Sequence, residues 1–136
     1  MTDRPSKPVL TQAETRPVLE AAQAAARAAG VRVSIAVVDE GGHLLGFTRM
    51  DEVHTGTVEV AITKARSAAG FRRPTRDFAK GLAAGNSALL VVPGCLPVPG
   101  GVPLRIGGIV AGAVGVSGAA PDVDDKIAEA ASGVVT

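Results

Sequence analysis

The sequence predicts an α+β domain built around a central antiparallel sheet of about five strands. Two pairs of short, largely aliphatic runs are each joined by a Gly-Gly turn, which is typical of β-hairpins. Helical patterns lie before, between and after these pairs instead of alternating with single strands, so a doubly wound parallel sheet is not expected. The 136 residues suit one domain. We expect an N-terminal arm over residues 1–9 and a single domain over residues 10–136.

The first helix is predicted to begin at a capping box, Thr11-Gln12-Ala13-Glu14. In this motif the Thr hydroxyl and the Glu carboxylate each accept a hydrogen bond from a free backbone donor. An alanine-rich pattern continues to about Ala29, and Gly30 is placed to end it. Pro17 removes one helical hydrogen bond, so the pattern allows either a kinked first turn or a start at Thr15.

The first hairpin is predicted from residues 33–38 and 44–50, with two glycines in the turn between them. Apolar residues then recur at three- and four-residue spacing from Val58 to Ala69, which predicts a second helix ending near Gly70. A short helical turn with Thr75 as its N-cap is expected to carry Phe78 and Leu82 inward.

The last third of the chain is predicted to complete the sheet. Residues 88–92 read as a third strand, and the proline-rich stretch 93–103 reads as an ordered loop because prolines lack ladder donors. Residues 104–106 and 109–117 form a second hairpin around Gly107-Gly108, and a closing helix runs from Pro121 to about Ala131.

Composition excludes several classes of protein. A net charge of +1 and an aromatic content of 2% argue against a nucleic-acid partner. The longest uncharged run, residues 81–104, is broken by glycines and prolines, so we expect no membrane span. A single cysteine and the lack of an apolar leader favour a cytoplasmic location. Two histidines and one cysteine are too few for a zinc site within one chain, so no metal is expected.

Small residues dominate the predicted elements, with 24 alanines and 17 glycines. Such side chains allow close packing but each buries little area. We therefore expect the protein to gain stability as a homo-oligomer.

Five stretches in one order resemble the GlcG/HbpS family of haem-binding and related proteins, to which the C-terminal domain of PduO-type corrinoid proteins is related. The resemblance implies profilin-like α/β/α layers and a small-molecule ligand, which is haem or a related tetrapyrrole in the members that bind one. It also implies a dimer or a higher assembly up to an octamer. The stretches are residues 33–44, Phe47 to Asp51, Lys64-Ala65, Gly100 to Leu104 and Gly112 to Gly118.

His54 is the first candidate for chemistry, since Arg49, Asp51 and Glu59 lie close to it in the sequence. A histidine beside carboxylates serves as a general base near neutral pH or as a ligand of haem iron. The plainer interpretation is a solvated loop histidine. His43, Met50 and Cys95 are further candidates for the axial ligand of haem.

Lys64 and the Gly100-Gly101 pair form a second group of candidates. Lys64 lies in an otherwise apolar helical pattern, which indicates either a buried amine with a lowered pKa or a lysine whose head reaches solvent. The glycine pair offers either a nest of backbone donors for an anion or an ordinary turn. Cys95 is interpreted as an inert thiol rather than a nucleophile.

Three interpretations of function remain open. The first is a haem- or tetrapyrrole-binding module. The second is a cofactor-independent enzyme of the isomerase, lyase or cyclase type, in which His54, Glu59 and Lys64 are catalytic and Arg49, Asp51, Gly100 and Gly101 bind the substrate at a subunit interface. The third is an oligomeric scaffold without a ligand.

Overall fold

The computed structural model describes residues 3–136. Among these residues no helix is long and apolar enough to cross a membrane. The elements follow the order α1 (Gln12–Ala28), β1 (Ser34–Asp39), β2 (Leu44–Arg49), α2 (Thr57–Phe71), α3 (Thr75–Ala83), a 3-10 helix (Ser87–Leu90), β3 (Gly101–Ile106), β4 (Ile109–Ser117) and α4 (Pro121–Ser132).

The sheet has four antiparallel strands in the order β2-β1-β4-β3. Helices α1 and α4 pack on one face, where Val18, Ile35 and Ile127 belong to one apolar cluster. Helix α2 covers the other face, where Ala36 and Ala65 belong to a second cluster. The α/β/α layers and the antiparallel sheet are therefore confirmed, with four strands where about five were expected.

The predicted strand at residues 88–92 is wrong, and this accounts for the missing fifth strand. The segment forms a 3-10 helix and a turn, in which Leu89 N donates to Asn86 O and Val91 N donates to Ala88 O. Its aliphatic side chains face solvent rather than a sheet, with Leu90 64% exposed and Val91 80% exposed. β-branched composition alone does not make a strand when no neighbouring strand accepts its hydrogen bonds.

The first helix begins at its predicted capping box. Thr11 Oγ1 accepts from Glu14 N at 3.2 Å, and Glu14 Oε1 accepts from Thr11 N at 3.0 Å. The helix starts at Gln12 and continues through Pro17, so the alternative start at Thr15 is not adopted.

Two smaller expectations are corrected in the second half of the chain. Strand β3 begins at Gly101 and not at Leu104; it includes Pro103, which an edge strand tolerates because one side of its ladder is unpaired. Helix α3 is preceded by Pro74, and the Thr75 hydroxyl accepts from Gly101 N at 3.0 Å instead of capping the helix.

Glycines in the sheet let helix α2 lie unusually close to it. Gly101 and Gly115 are directly opposite each other on β3 and β4. A Cβ atom at Gly115 would come within 2.0 Å of Ala61 O, and one at Gly101 within 2.2 Å of Lys64 O. Only glycine fits at these two positions, and this close approach sets the position of Lys64 against the sheet.

Candidate functional site

The first group of candidate residues lies at the corner where β2 ends and α2 begins. Thr57 Oγ1 donates to His54 O at 2.7 Å and is 2.9 Å from Ser34 Oγ on β1. Ser34 is directly opposite Arg49 in the sheet, and opposed residues point to the same face. Arg49 therefore points to the α2 side of the sheet, and the backbone of His54 lies beside Thr57 on that side.

The side chains of this corner are open to solvent. Arg49, Asp51, His54 and Glu59 are all exposed. Within residues 3–136, none of these four side chains forms a hydrogen bond or an ion pair with another; Asp51 contributes only its backbone oxygen, which accepts from Arg32 Nη1 at 3.1 Å. The corner thus presents one imidazole, one guanidinium and two carboxylates whose bonding capacity is available to a ligand.

The two histidines differ in their surroundings. His43 Nδ1 lies 3.4 Å from Asp39 Oδ1, and the same oxygen accepts from the backbone N–H groups of Gly41 and His43 in the turn. That aspartate organises the hairpin turn and holds the His43 ring beside it. His54 has no such partner among the described residues, so its two ring nitrogens are the more available ligands.

The second group of candidates is brought together inside the protein. Lys64 is 1% exposed. Its Nζ donates to Val116 O at 2.9 Å and to Asp124 Oδ2 at 3.0 Å. A Cβ atom at Gly100 would lie 2.8 Å from this amine. Lys64 is therefore the buried amine of the two alternatives, and it ties α2 to β4 and α4.

Burial shifts both members of the Lys64–Asp124 pair toward neutrality. It lowers the pKa of Lys64 and raises the pKa of Asp124, while the attraction between the two groups opposes both shifts. Asp124 Oδ1 also accepts from Ala119 N at 2.9 Å. Sequence reasoning missed Asp124, because only the fold shows that α4 faces Lys64; an acid in the first turn of an alanine-rich helix was the one signal available.

The Gly100-Gly101 pair is buried, and its backbone is occupied by the protein itself. Gly101 N donates to Thr75 Oγ1 at 3.0 Å, and Gly100 O accepts from Val116 N at 2.9 Å. Gly100 has φ of +129°, which suits glycine alone. These bonds leave the Gly101 amide without a free donor for an oxyanion.

The residues assigned to an acid–base enzyme therefore lie in two separate environments, one exposed to solvent and one buried. His54 and Glu59 face solvent, whereas Lys64 is enclosed with its donors directed at internal acceptors. No observation here favours an enzyme.

Haem would need an axial ligand and cover for the apolar faces of its ring. Exposed His54 suits the first requirement. Burial raises the pKa of Cys95 and so keeps its thiol protonated, which disfavours it as a ligand. The surface depressions do not cover the faces of a haem ring, since the main ones are shallow and have volumes of about 220 to 330 Å³. Ligand pockets run from roughly 300 to 1,000 Å³, so a tetrapyrrole would lie partly open on one protomer.

Comparison with known proteins gives consistent matches over nearly the whole chain. Residues 10–132 match the family model described as haem-degrading protein HbpS-like. Protein GlcG of Escherichia coli K12 is 38% identical over 112 residues, which cover 82% of this chain and 84% of GlcG. The crystal structure of a double mutant of Streptomyces reticuli HbpS superposes with a TM-score of 0.86 at 31% identity, covering 100% of this chain and 96% of that one. A PduOC:haem complex shares the fold, with a TM-score of 0.83 at 24% identity over 95% of this chain and 96% of the other.

Proposed function

The chain belongs to the HbpS-like family, and on that premise we propose that it is a GlcG/HbpS-type small-molecule-binding protein whose ligand is haem or a related tetrapyrrole. The observation that carries the proposal is the exposed imidazole of His54, which has no partner among the described residues and shares a corner with Arg49. Imidazole nitrogen is a common protein ligand of haem iron.

Each residue of the corner has a part in the proposal. His54 would ligate the iron, and the Arg49 guanidinium would pair with a propionate, since planar guanidinium groups bind carboxylates in bidentate fashion. Bound haem would supply the iron-centred chemistry. Asp51 and Glu59 are exposed and carry the only negative charges among the four candidate residues, so Arg49 is the one group of the four that can anchor a carboxylate by charge.

The open corner also supports a homo-oligomer. Because one protomer offers no deep apolar slot, a second copy is needed to cover the ring. A separate segment supports the same proposal: Leu90, Val91 and Val92 follow one another in the chain and are 36 to 80% exposed. Clustered exposed apolar side chains of this kind mark protein interfaces. We assign this segment to contact between copies of the chain.

Haem binding is tested by titrating the purified protein with haemin and recording the Soret band. We expect a shifted band that saturates, because coordination by a protein ligand changes the electronic state of the iron. His54→Ala is expected to weaken binding at least about tenfold, equivalent to 1.4 kcal/mol. The far-UV circular dichroism of the variant should match that of the wild type, since His54 is exposed.

His43→Ala is the matched control, because it removes the other exposed imidazole. It should bind haemin as the wild type does. A wild-type spectrum identical to that of free haemin would contradict the proposal as a whole. Loss of binding in His43→Ala with retention in His54→Ala would contradict the assignment of the ligand.

A further inference from the structure

A second depression lies at the far end of the sheet, where the two hairpin turns meet the C-terminus of α2. Its volume is about 300 Å³. Arg72, Arg105, Lys7 and Glu40 contribute its charged wall, and the buried side chains of Ala69 and Val110 belong to its apolar lining. The depression is distinct from the His54 corner and shares no residue with it.

The charges that line this depression do not cancel. Lys7 Nζ is 3.6 Å from Glu40 Oε1, so these two neutralise each other. Arg105 donates only to backbone oxygens, to Gly108 O at 3.4 Å and to Arg72 O at 3.3 Å. Among residues 3–136 neither Arg72 nor Arg105 pairs with a carboxylate. Two positive charges therefore remain at one small depression.

The two arginines that come next in the sequence differ from Arg72, because Arg73 and Arg76 do have acidic partners. Arg73 lies 3.6 Å from Asp77, and Arg76 contacts both Asp125 and Glu129 at 3.2 and 2.7 Å. These cations follow Arg72 closely in the sequence and each has an acidic partner. The fold places no such partner beside Arg72 and Arg105. Among residues 3–136 the Arg72 guanidinium makes no hydrogen bond, and that of Arg105 makes only the two long ones to backbone oxygens, so both can bind an external anion.

The end of α2 does not repel an anion strongly, although helix C-termini carry partial negative charge. The backbone N–H groups of Arg72 and Arg73 both donate to Ala68 O, and the Arg105 guanidinium donates to Arg72 O. Two of the carbonyls at this end are thus already satisfied. The guanidinium groups carry full charges and outweigh the remaining partial ones.

From this arrangement we propose that the depression is a binding site for a small organic carboxylate. The guanidinium groups of Arg72 and Arg105 recognise the carboxylate, since planar guanidinium donors match its two oxygens. The apolar lining receives the carbon skeleton, which distinguishes an organic acid from inorganic phosphate. The volume suits a ligand much smaller than a tetrapyrrole, so this site is independent of the proposed haem site.

The test uses isothermal titration calorimetry of the full chain at low ionic strength, with succinate as the probe. We expect saturable binding of one succinate per chain and none of neutral succinamide. Arg72→Gln and Arg105→Gln should each weaken succinate binding about tenfold, because each removes a charge-assisted hydrogen bond to the carboxylate. Both side chains are exposed, so the variants should retain the wild-type melting temperature.

Arg73→Gln is the matched control, since it removes an adjacent positive charge outside the depression. It should bind succinate as the wild type does. Equal weakening in Arg73→Gln would show a general charge effect and overturn the site. Absence of saturable succinate binding would overturn it as well, and inorganic phosphate binding as tightly as succinate would overturn the organic ligand. None of these outcomes changes the Soret spectrum, so failure here is distinguishable from failure of haem binding.

Discussion

Among the fully buried residues of the described part of the chain, Lys64 has the largest side chain, and its amine donates to only two acceptors. Placing an ammonium group in a protein interior costs several kcal/mol unless a partner offsets the loss of hydration. Asp124 is that partner, and Ala119 N donates to its second oxygen. The Lys64–Asp124 pair therefore links the layers of the fold, and each of its two residues depends on the other for the stability of its buried charge.

Breaking this pair is expected to be costly. Lys64→Met leaves Asp124 buried without a counter-charge, so we expect the free energy of unfolding to fall by about 3–5 kcal/mol in urea denaturation. The double variant Lys64→Met with Asp124→Asn removes both charges and should recover much of this loss. A double variant no more stable than Lys64→Met would show that the charge left on Asp124 is not the cause.

Gly115 shows how a single hydrogen atom in place of a methyl group permits the packing of α2. Because a Cβ atom there would come within 2.0 Å of Ala61 O, Gly115→Ala should lower the free energy of unfolding by about 3 kcal/mol. Gly70→Ala is the control on the helix itself, where nothing lies within 4 Å of the added atom. That variant should be stabilised by roughly 0.5–1 kcal/mol. Similar melting temperatures for the two variants would contradict the close packing.

At the scale of elements, helix α1 depends on its capping box. The Glu14 carboxylate of this box makes part of the stability of α1 depend on pH. Hydrogen bonds from the backbone and side chain of Thr11 lower the pKa of Glu14 below its ordinary 4.5. The unfolded chain therefore binds this proton more readily, so the stabilisation is present above pH 4.5 and is lost as the pH falls through the folded pKa. Glu14→Gln should show a shallower fall in melting temperature below pH 4.5. An unchanged acid profile would argue against the cap.

The elements that sequence predicts well are those whose signals are local. The capping box spans four residues, and each hairpin turn lies between the strands it joins, so both follow from nearby side chains. The strand predicted at residues 88–92 is wrong, because a strand requires a neighbouring strand that local composition does not specify. Two contacts were not predicted for the same reason: Asp124 is 60 residues from Lys64, and Arg105 is 33 residues from Arg72.

At the scale of the whole molecule, the resemblance correctly indicated the layered fold, and the layers explain why the two groups of candidates separate. Helix α2 presents one face to the sheet and another to solvent. Lys64 lies on the first, where glycines bring the strands close, and Glu59 lies on the second. The helical periodicity of α2 alone does not show which of its faces is buried most deeply.

The proposed contact between copies gives the last prediction. Leu90 and Val91 are 64% and 80% exposed on a segment that has few partners within the chain. Burying such side chains fully contributes roughly 1.5–3 kcal/mol each, whereas a buried unpaired carboxylate is strongly unfavourable. Val91→Glu should therefore shift the mass measured by light scattering toward the monomer mass of 13.6 kDa. Ile109→Glu, at an exposed site on the β3–β4 hairpin, should leave the assembly intact. A wild type that already runs at the monomer mass would overturn the oligomer, and an assembled Val91→Glu would place the interface elsewhere.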